Sequence, residues 1–278
     1  MSCNGIPDID GVLAIGRGIT ADVYPWREGR VLKLFHAWVS AAVAEREHLT
    51  AQAVYACGYP VPAVYELAMV KGQIGIVFDR VHGISLLKAV ERRPWTLFAS
   101  AQQLAQLHAE LHALKAPPGL PSHREEISNK VAGAQCFSPE ERARVGHALS
   151  ELPEGEALCH GDFHPENILL SAAGPVVIDW STGTRGHPIG DVANTSVLFE
   201  IADLPVTTPF HIRVLFKFSR ALLHETYLRH YLRLRPGTRA EIAAWRLPLL
   251  ARVKAWREAR ARDGSGLGKS ARRVPELA

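Results

Sequence analysis

The spacing of apolar positions changes once along the chain, near residue 80. Before that point they fall in short β-branched and aromatic runs separated by turn residues. Residues 12–35 read as three strands, and 64–67 and 74–78 as two more that close a sheet. A single helix interrupts them over about 39–57 and stops at Gly58, a normal C-terminal signal. Its apolar stripe is Ala42, Val43, Leu49, Ala53, Val54 and Cys57. Beyond residue 80 the period becomes helical. Residues 95–114 place Phe98, Leu104, Leu107, Leu111 and Leu114 on one side, 116–121 is a proline-rich loop, and 138–151 predicts a short helix. Two amphipathic helices are predicted over about 209–231 and 239–262. One stretch of the second half keeps strand character. Ile168-Leu169-Leu170, the turn Ala173-Gly174-Pro175 and Val176-Val177-Ile178 read as a β-hairpin.

Composition places the chain among ordinary globular proteins. It has 278 residues, 47% of them apolar and 22% charged, enough to bury a sizeable core. No apolar run approaches the roughly 18 residues of a membrane span. The N-terminus has no basic region followed by an apolar one, so no secretory signal is visible. Cys3, Cys57, Cys136 and Cys159 are widely scattered and read as reduced thiols. These features predict a cytoplasmic protein with no membrane partner. The net charge of +4 conceals an asymmetry. Residues 211–278 hold 16 basic and 5 acidic side chains, a balance of +11, and the remainder holds 16 and 23, a balance of −7. A basic block can attract an anionic partner but is more often a solvated helix face, so no nucleic acid is expected.

The hairpin changes the picture. Asp162 stands five residues before Asn167, and Asp179 ends the second strand, so the hairpin would gather two carboxylates and an amide at one end. That set suits a hard cation such as Mg²⁺ plus an acceptor for a hydroxyl proton. Two buried strands with polar ends would not require the H-x-D-x-x-x-x-N order of His160, Asp162 and Asn167. Near the N-terminus, Gly16-Arg17-Gly18-Ile19-Thr20-Ala21-Asp22-Val23 is a G-x-G-x-x-A-x-V turn, whose glycines allow close approach of backbone N–H groups to phosphate. Lys33 sits in the apolar strand Val31-Leu32-Lys33-Leu34-Phe35 and is costly to bury unless paired. Glu45 and Glu47 on the next helix lie about 200° apart, and periodicity does not choose between them as its partner. His108 and His112 share a helix face with no third metal ligand in view, so they read as packed, hydrogen-bonded histidines. Residues 264–270 nearly form a P-loop, but the first required glycine is Asp263 and no strand precedes it.

The segments HGDFHPENIL and VVIDW, carrying His160, Asp162, Asn167 and Asp179, resemble the aminoglycoside phosphotransferase and choline kinase group, relatives of the protein kinases. The resemblance implies an α+β, protein-kinase-like bilobal fold. Its N-lobe (1–78) would be an antiparallel sheet with one helix, followed by a hinge (79–85), a mostly helical C-lobe (86–262) containing the catalytic hairpin, and a flexible basic tail (263–278). It implies ATP-dependent transfer of a γ-phosphoryl group to a small-molecule hydroxyl, with Mg²⁺. Lys33 would hold the α- and β-phosphates under the loop of Gly16, Gly18 and Thr20. The family's spacing back from the 58–62 turn favours Glu47 as its partner. Backbone groups around Asp79 to Val81 would meet the adenine, Asn167 and Asp179 the metal, and Asp162 would take the hydroxyl proton. Asp191, in the family's G-D-x-A segment, would support the catalytic loop or cap free N–H groups, with His160 packed beneath the loop. Trp180 stands where protein kinases have Phe-Gly, which favours the small-molecule branch. The acceptor would be an amino alcohol, sugar, aminoglycoside or related metabolite, and the +11 balance argues mildly against a polycation. The alternatives are a nucleotide-binding regulator without transfer and a protein kinase, the latter disfavoured by the short interval from Asp179 to Asp191. A monomer or homodimer is expected.

Overall fold

The computed structural model describes residues 9, 11–27, 29–202, 204 and 207–262. The predicted tail and the rejected P-loop-like run lie outside them. The chain forms two compact units. The first holds the residues up to Leu86 together with Glu166–Thr182, and the second holds Leu87–Pro165 and the residues from Gly183 on.

The first unit is built on an antiparallel sheet in the order β1-β2-β3-β5-β4, from β1 (Gly16–Arg17), β2 (Ala21–Trp26), β3 (Arg30–Phe35), β4 (Val64–Val70) and β5 (Gln73–Asp79). Strand alternation sorts β3 between two cores. Leu32 and Leu34 pack with Val70 and Val77, while Phe35 packs with Ala21, Ile76 and Ala44 of α1 (Ala41–Ala56). Lys33 shares the face of Phe35 and therefore points to the α1 side. The buried residues of α1 are Ala44, Glu47, Thr50, Ala51 and Val54, whereas Ala42, Val43 and Leu49 of the expected stripe are exposed. The expectation failed because one of the buried positions is a carboxylate, which no apolar count finds. Gly58 follows α1 with φ of 74°, the left-handed turn expected there.

A three-stranded sheet completes this unit, in the order β6-β8-β9, from β6 (Gly83–Ser85), β8 (Ile168–Ser171) and β9 (Gly174–Val177). The sequence reading grouped the hairpin with the helical lobe. In the structure it packs in the first unit, because β6 pairs with β8. A Cβ at Gly83 would lie 2.2 Å from the Leu170 carbonyl oxygen, so only glycine permits that pairing.

The second unit contains α2 (Leu86–Arg92), most of which lies beyond the Leu86 boundary, α3 (Leu97–Leu111), α4 (His123–Gly133), α5 (Pro139–Glu151), α6 (Pro188–Ile201), α7 (Phe210–Leu234), α8 (Arg239–Ala244) and α9 (Arg246–Arg262). The pair β7 (Ala157–Cys159) and β10 (Thr184–Gly186) joins them. The predicted final helix is two, broken at Trp245, with Thr238 and Glu241 closing a capping box at the start of α8. The fold is protein-kinase-like, with an antiparallel sheet before a mostly helical region. Among the described residues, no helix is long and apolar enough to cross a membrane.

Candidate active site

Strand β3 and helix α1 bring Lys33 and Glu47 together. Lys33 Nζ donates to Glu47 Oε1 at 2.6 Å and to Asp179 Oδ1 at 3.0 Å. Glu47 is buried and Glu45 is exposed, so the face of α1 makes the choice that periodicity left open. Burial pushes the Glu47 carboxyl up to about 7, against the pull of Lys33. Burial would lower Lys33, but the charges of Asp179 and Glu47 outweigh it and hold the ammonium above its usual range. Asp179 takes a left-handed backbone, φ 65°, just past β9, and also accepts a hydrogen bond from Ser181 Oγ at 2.9 Å. Asn167 lies at the same end of the hairpin, where its carbonyl accepts from the N–H of Ile178 at 2.9 Å. An amide oxygen and a carboxylate are hard donors, the type Mg²⁺ takes.

The Gly-rich turn caps β1 and β2. Gly16 pairs with Val23, and the Gly18 N–H donates to the Ala21 carbonyl at 2.9 Å, so this N–H is already used within the turn. The Thr20 carbonyl accepts from the His36 N–H at 2.9 Å. At the end of β5, the Asp79 N–H donates to Ala63 and its carboxylate accepts from Tyr65 Oη at 2.8 Å. The Asp79 N–H and carboxylate are thus both engaged within the protein.

Asp162 belongs to the second unit, on a loop held from beneath. Asp191 Oδ2 accepts from the His160 N–H at 2.6 Å, and Asp191 Oδ1 from the Gly161 N–H at 2.9 Å. The carboxylate therefore caps N–H groups of this loop, while His187 caps α6. His160 Nδ1 accepts from the Asp162 N–H at 3.2 Å, so His160 is a strut under the loop. His164 Nε2 stands 3.4 Å from Asp162 Oδ2. The third partner missing from the sequence reading of His108 and His112 is Asp191, which lies 3.2 and 3.3 Å from their Nε2 atoms. Their Nδ1 atoms pair with the hydroxyls of Tyr227 and Tyr231 at 2.7 and 2.6 Å. These three groups cluster as metal ligands could. Every nitrogen of both rings is nevertheless already hydrogen-bonded, which favours the packed reading. Burial pushes His108 down to about 3 and lowers His112 as well. Burial would raise Asp191, but the hydrogen bonds from both imidazoles hold it well below the usual carboxylate range.

Residues 11–256 match the profile described as the phosphotransferase enzyme family. The chain belongs to that family. The solved structures that share the fold include these two. One is a choline/ethanolamine kinase family protein from Mesorhizobium loti, 16% identical, with a TM-score of 0.59 over 96% of this chain and 84% of that one. The other is a thermostable mutant of aminoglycoside phosphotransferase APH(4)-Ia, in ternary complex with AMP-PNP and hygromycin B. It is 17% identical, with a TM-score of 0.53 over 92% of this chain and 94% of that one. Among curated proteins, acyl-CoA dehydrogenase family member 11 of Gallus gallus is 28% identical over 180 residues, 55% of this chain. The chain spans about a quarter of that relative's length, 23%.

The structure of this family member also shows residues that motif reading missed. Asn194 Nδ2 donates to the Gly161 carbonyl at 2.6 Å, and Thr195 Oγ1 donates to that of Phe163 at 2.9 Å. Arg252 of α9 donates to Asn194 Oδ1 and stands 3.4 Å from the Gly161 carbonyl. Asp191, Asn194 and Thr195 are buried polar positions spaced three and four apart on α6, a signal that period carries. Arg252 has no such signature.

Proposed function

We propose that the protein transfers the γ-phosphoryl group of ATP to a hydroxyl of a small molecule. The observation that carries this is the contact of Lys33 with both Glu47 and Asp179. A partly buried ammonium held between two carboxylates, at the end of the hairpin that also carries Asn167, is a ready clamp for a nucleotide polyphosphate. Lys33 holds the α- and β-phosphates, Glu47 orients it, and the turn of Gly16, Gly18 and Thr20 lies over them. Asn167 and Asp179 would hold Mg²⁺, which would neutralise charge on the phosphate oxygens. Asp162 accepts a hydrogen bond from the acceptor hydroxyl and takes its proton as the new P–O bond forms and the bond to ADP breaks. Asp191, Asn194 and Arg252 keep the loop in place during transfer. The nucleotide analogue named in the APH(4)-Ia complex supports a nucleotide donor.

The choice of a small molecule over a protein acceptor rests on β10. The segment between Asp179 and Asp191 is tied by antiparallel pairing of Thr184–Gly186 with Ala157–Cys159, which leaves little chain for a protein-docking segment. Amino alcohols, sugars, aminoglycosides and related metabolites make up the panel to test. ADP release is measured with each compound, with the parent chain and Asp162→Asn. One acceptor should stimulate release and appear phosphorylated, and Asp162→Asn should slow transfer by roughly 10³-fold or more with nucleotide affinity nearly unchanged. Equal turnover by the two proteins would remove Asp162 from the reaction.

A further inference from the structure

The first turns of α7 face solvent with an apolar surface. Phe210 is 78% exposed and Phe218 67%, and Val214 and Leu215 are exposed with them. Positions 210, 214 and 218 fall within about 80° of one another on the helix, so they form one stripe. Helix α3 runs alongside α7 in the same direction, since His108 meets Tyr227 and His112, four residues on, meets Tyr231. The N-terminal ends of the two helices therefore lie at the same end of the pair. There the α3 side contributes Trp95, 77% exposed, and Phe98, 53% exposed. Bases border both parts. Arg92 and Arg93 precede Trp95 and are exposed, Lys217 is exposed, and Arg213 is half-buried. Glu91 is the nearby acid on the α2 side, and no Asp or Glu occurs from 204 to 224.

We propose that this end of the α3–α7 pair docks on an anionic bilayer surface. Aromatic and aliphatic side chains beside arginine and lysine are the composition that seats in the boundary between headgroups and acyl chains while the bases meet lipid phosphates. A second copy fits less well. Twofold pairing through the stripe would set Arg213 and Lys217 near their own equivalents, with no carboxylate on that stretch of helix to offset them. The expectation of no membrane partner rests on the absence of continuous apolar runs, which mark a spanning segment. An interfacial helix scatters its apolar residues at helical spacing and needs no run.

The test uses the full chain in co-sedimentation with vesicles of phosphatidylcholine alone and of phosphatidylcholine mixed with phosphatidylserine. The protein should sediment with the mixed vesicles, less so as salt is raised, and little with phosphatidylcholine. Phe218→Ser should weaken partition ~10-fold and Lys217→Glu ~5-fold or more. Circular dichroism of these two surface variants should match the parent. Failure of the parent to bind mixed vesicles overturns the proposal. So does binding that survives both substitutions. A concentration-dependent dimer that Phe218→Ser dissociates, with no vesicle binding by the parent, assigns the surface to a second copy instead.

Discussion

At the scale of single residues, the buried Glu47 is the informative one. It faces Lys33 at 2.6 Å, and Asp179 faces the same ammonium at 3.0 Å. Removing one carboxylate leaves the ammonium a partner, so Glu47→Gln should fold. The lysine would then be less firmly held for its proposed contact with the nucleotide phosphates. We expect ATP turnover per unit nucleotide concentration to fall by roughly 10–100-fold, most of it in nucleotide affinity, as calorimetry with a non-hydrolysable analogue would measure. Unchanged affinity would separate Glu47 from nucleotide binding. Asp191 illustrates the other kind of residue. Its oxygens collect two backbone N–H groups and lie beside two imidazoles, so what it holds is the loop beneath Asp162.

At the scale of elements, the hairpin depends on β6. Gly83 approaches Leu170 so closely that Gly83→Ala must push the strands apart, since the added Cβ would stand 2.2 Å from a carbonyl oxygen. The expected cost is about 2 kcal/mol of stability. Turnover should fall further than stability does, because Asn167 and Asp179 flank the displaced strands. Thermal unfolding and turnover measured on one preparation check this, and a variant equal to the parent in both shows that the contact does not hold the hairpin. What could be read from sequence also divides by element. The hairpin, the Gly-rich turn and the strand around Lys33 were readable because their chemistry needs particular residues at fixed spacing. Helix α4 was not, because its buried positions are His123, Ile127 and Val131, too sparse a stripe with a polar member. The stripe of α1 was misread because a salt bridge replaced an apolar contact. Arg252 was invisible, since its partner Asn194 lies 58 residues away in the chain.

At the scale of the whole molecule, buried ionisable groups set the response to pH. His108 and His123 are fully buried, with pKa values pushed by burial to about 3 and about 4 from 6.5. Their neutral forms are preferred in the fold, so the stability they supply is complete above 6.5 and is lost as pH falls towards those values. Each contributes up to about 1.4 kcal/mol per pH unit. Glu47 works in the opposite sense. Its pKa, raised from 4.5 to about 7, gives stability that is present below 4.5 and lost as pH rises through 7. Two imidazoles outweigh one carboxyl over this range, and Asp191, lowered from 3.8, adds its own loss only in more acid solution. The thermal midpoint should therefore drop between pH 6.5 and 5, and a flat or rising midpoint would contradict the assignment. The division of the chain has its own outcome. Lys33, Glu47, Asn167 and Asp179 lie in one compact unit, and Asp162 with its supports lies in the other. Under the proposed roles, damage to either body should thus leave a distinct signature: a protein that grips its donor and cannot pass the group on, or one that keeps Asp162 but has lost its hold on the donor.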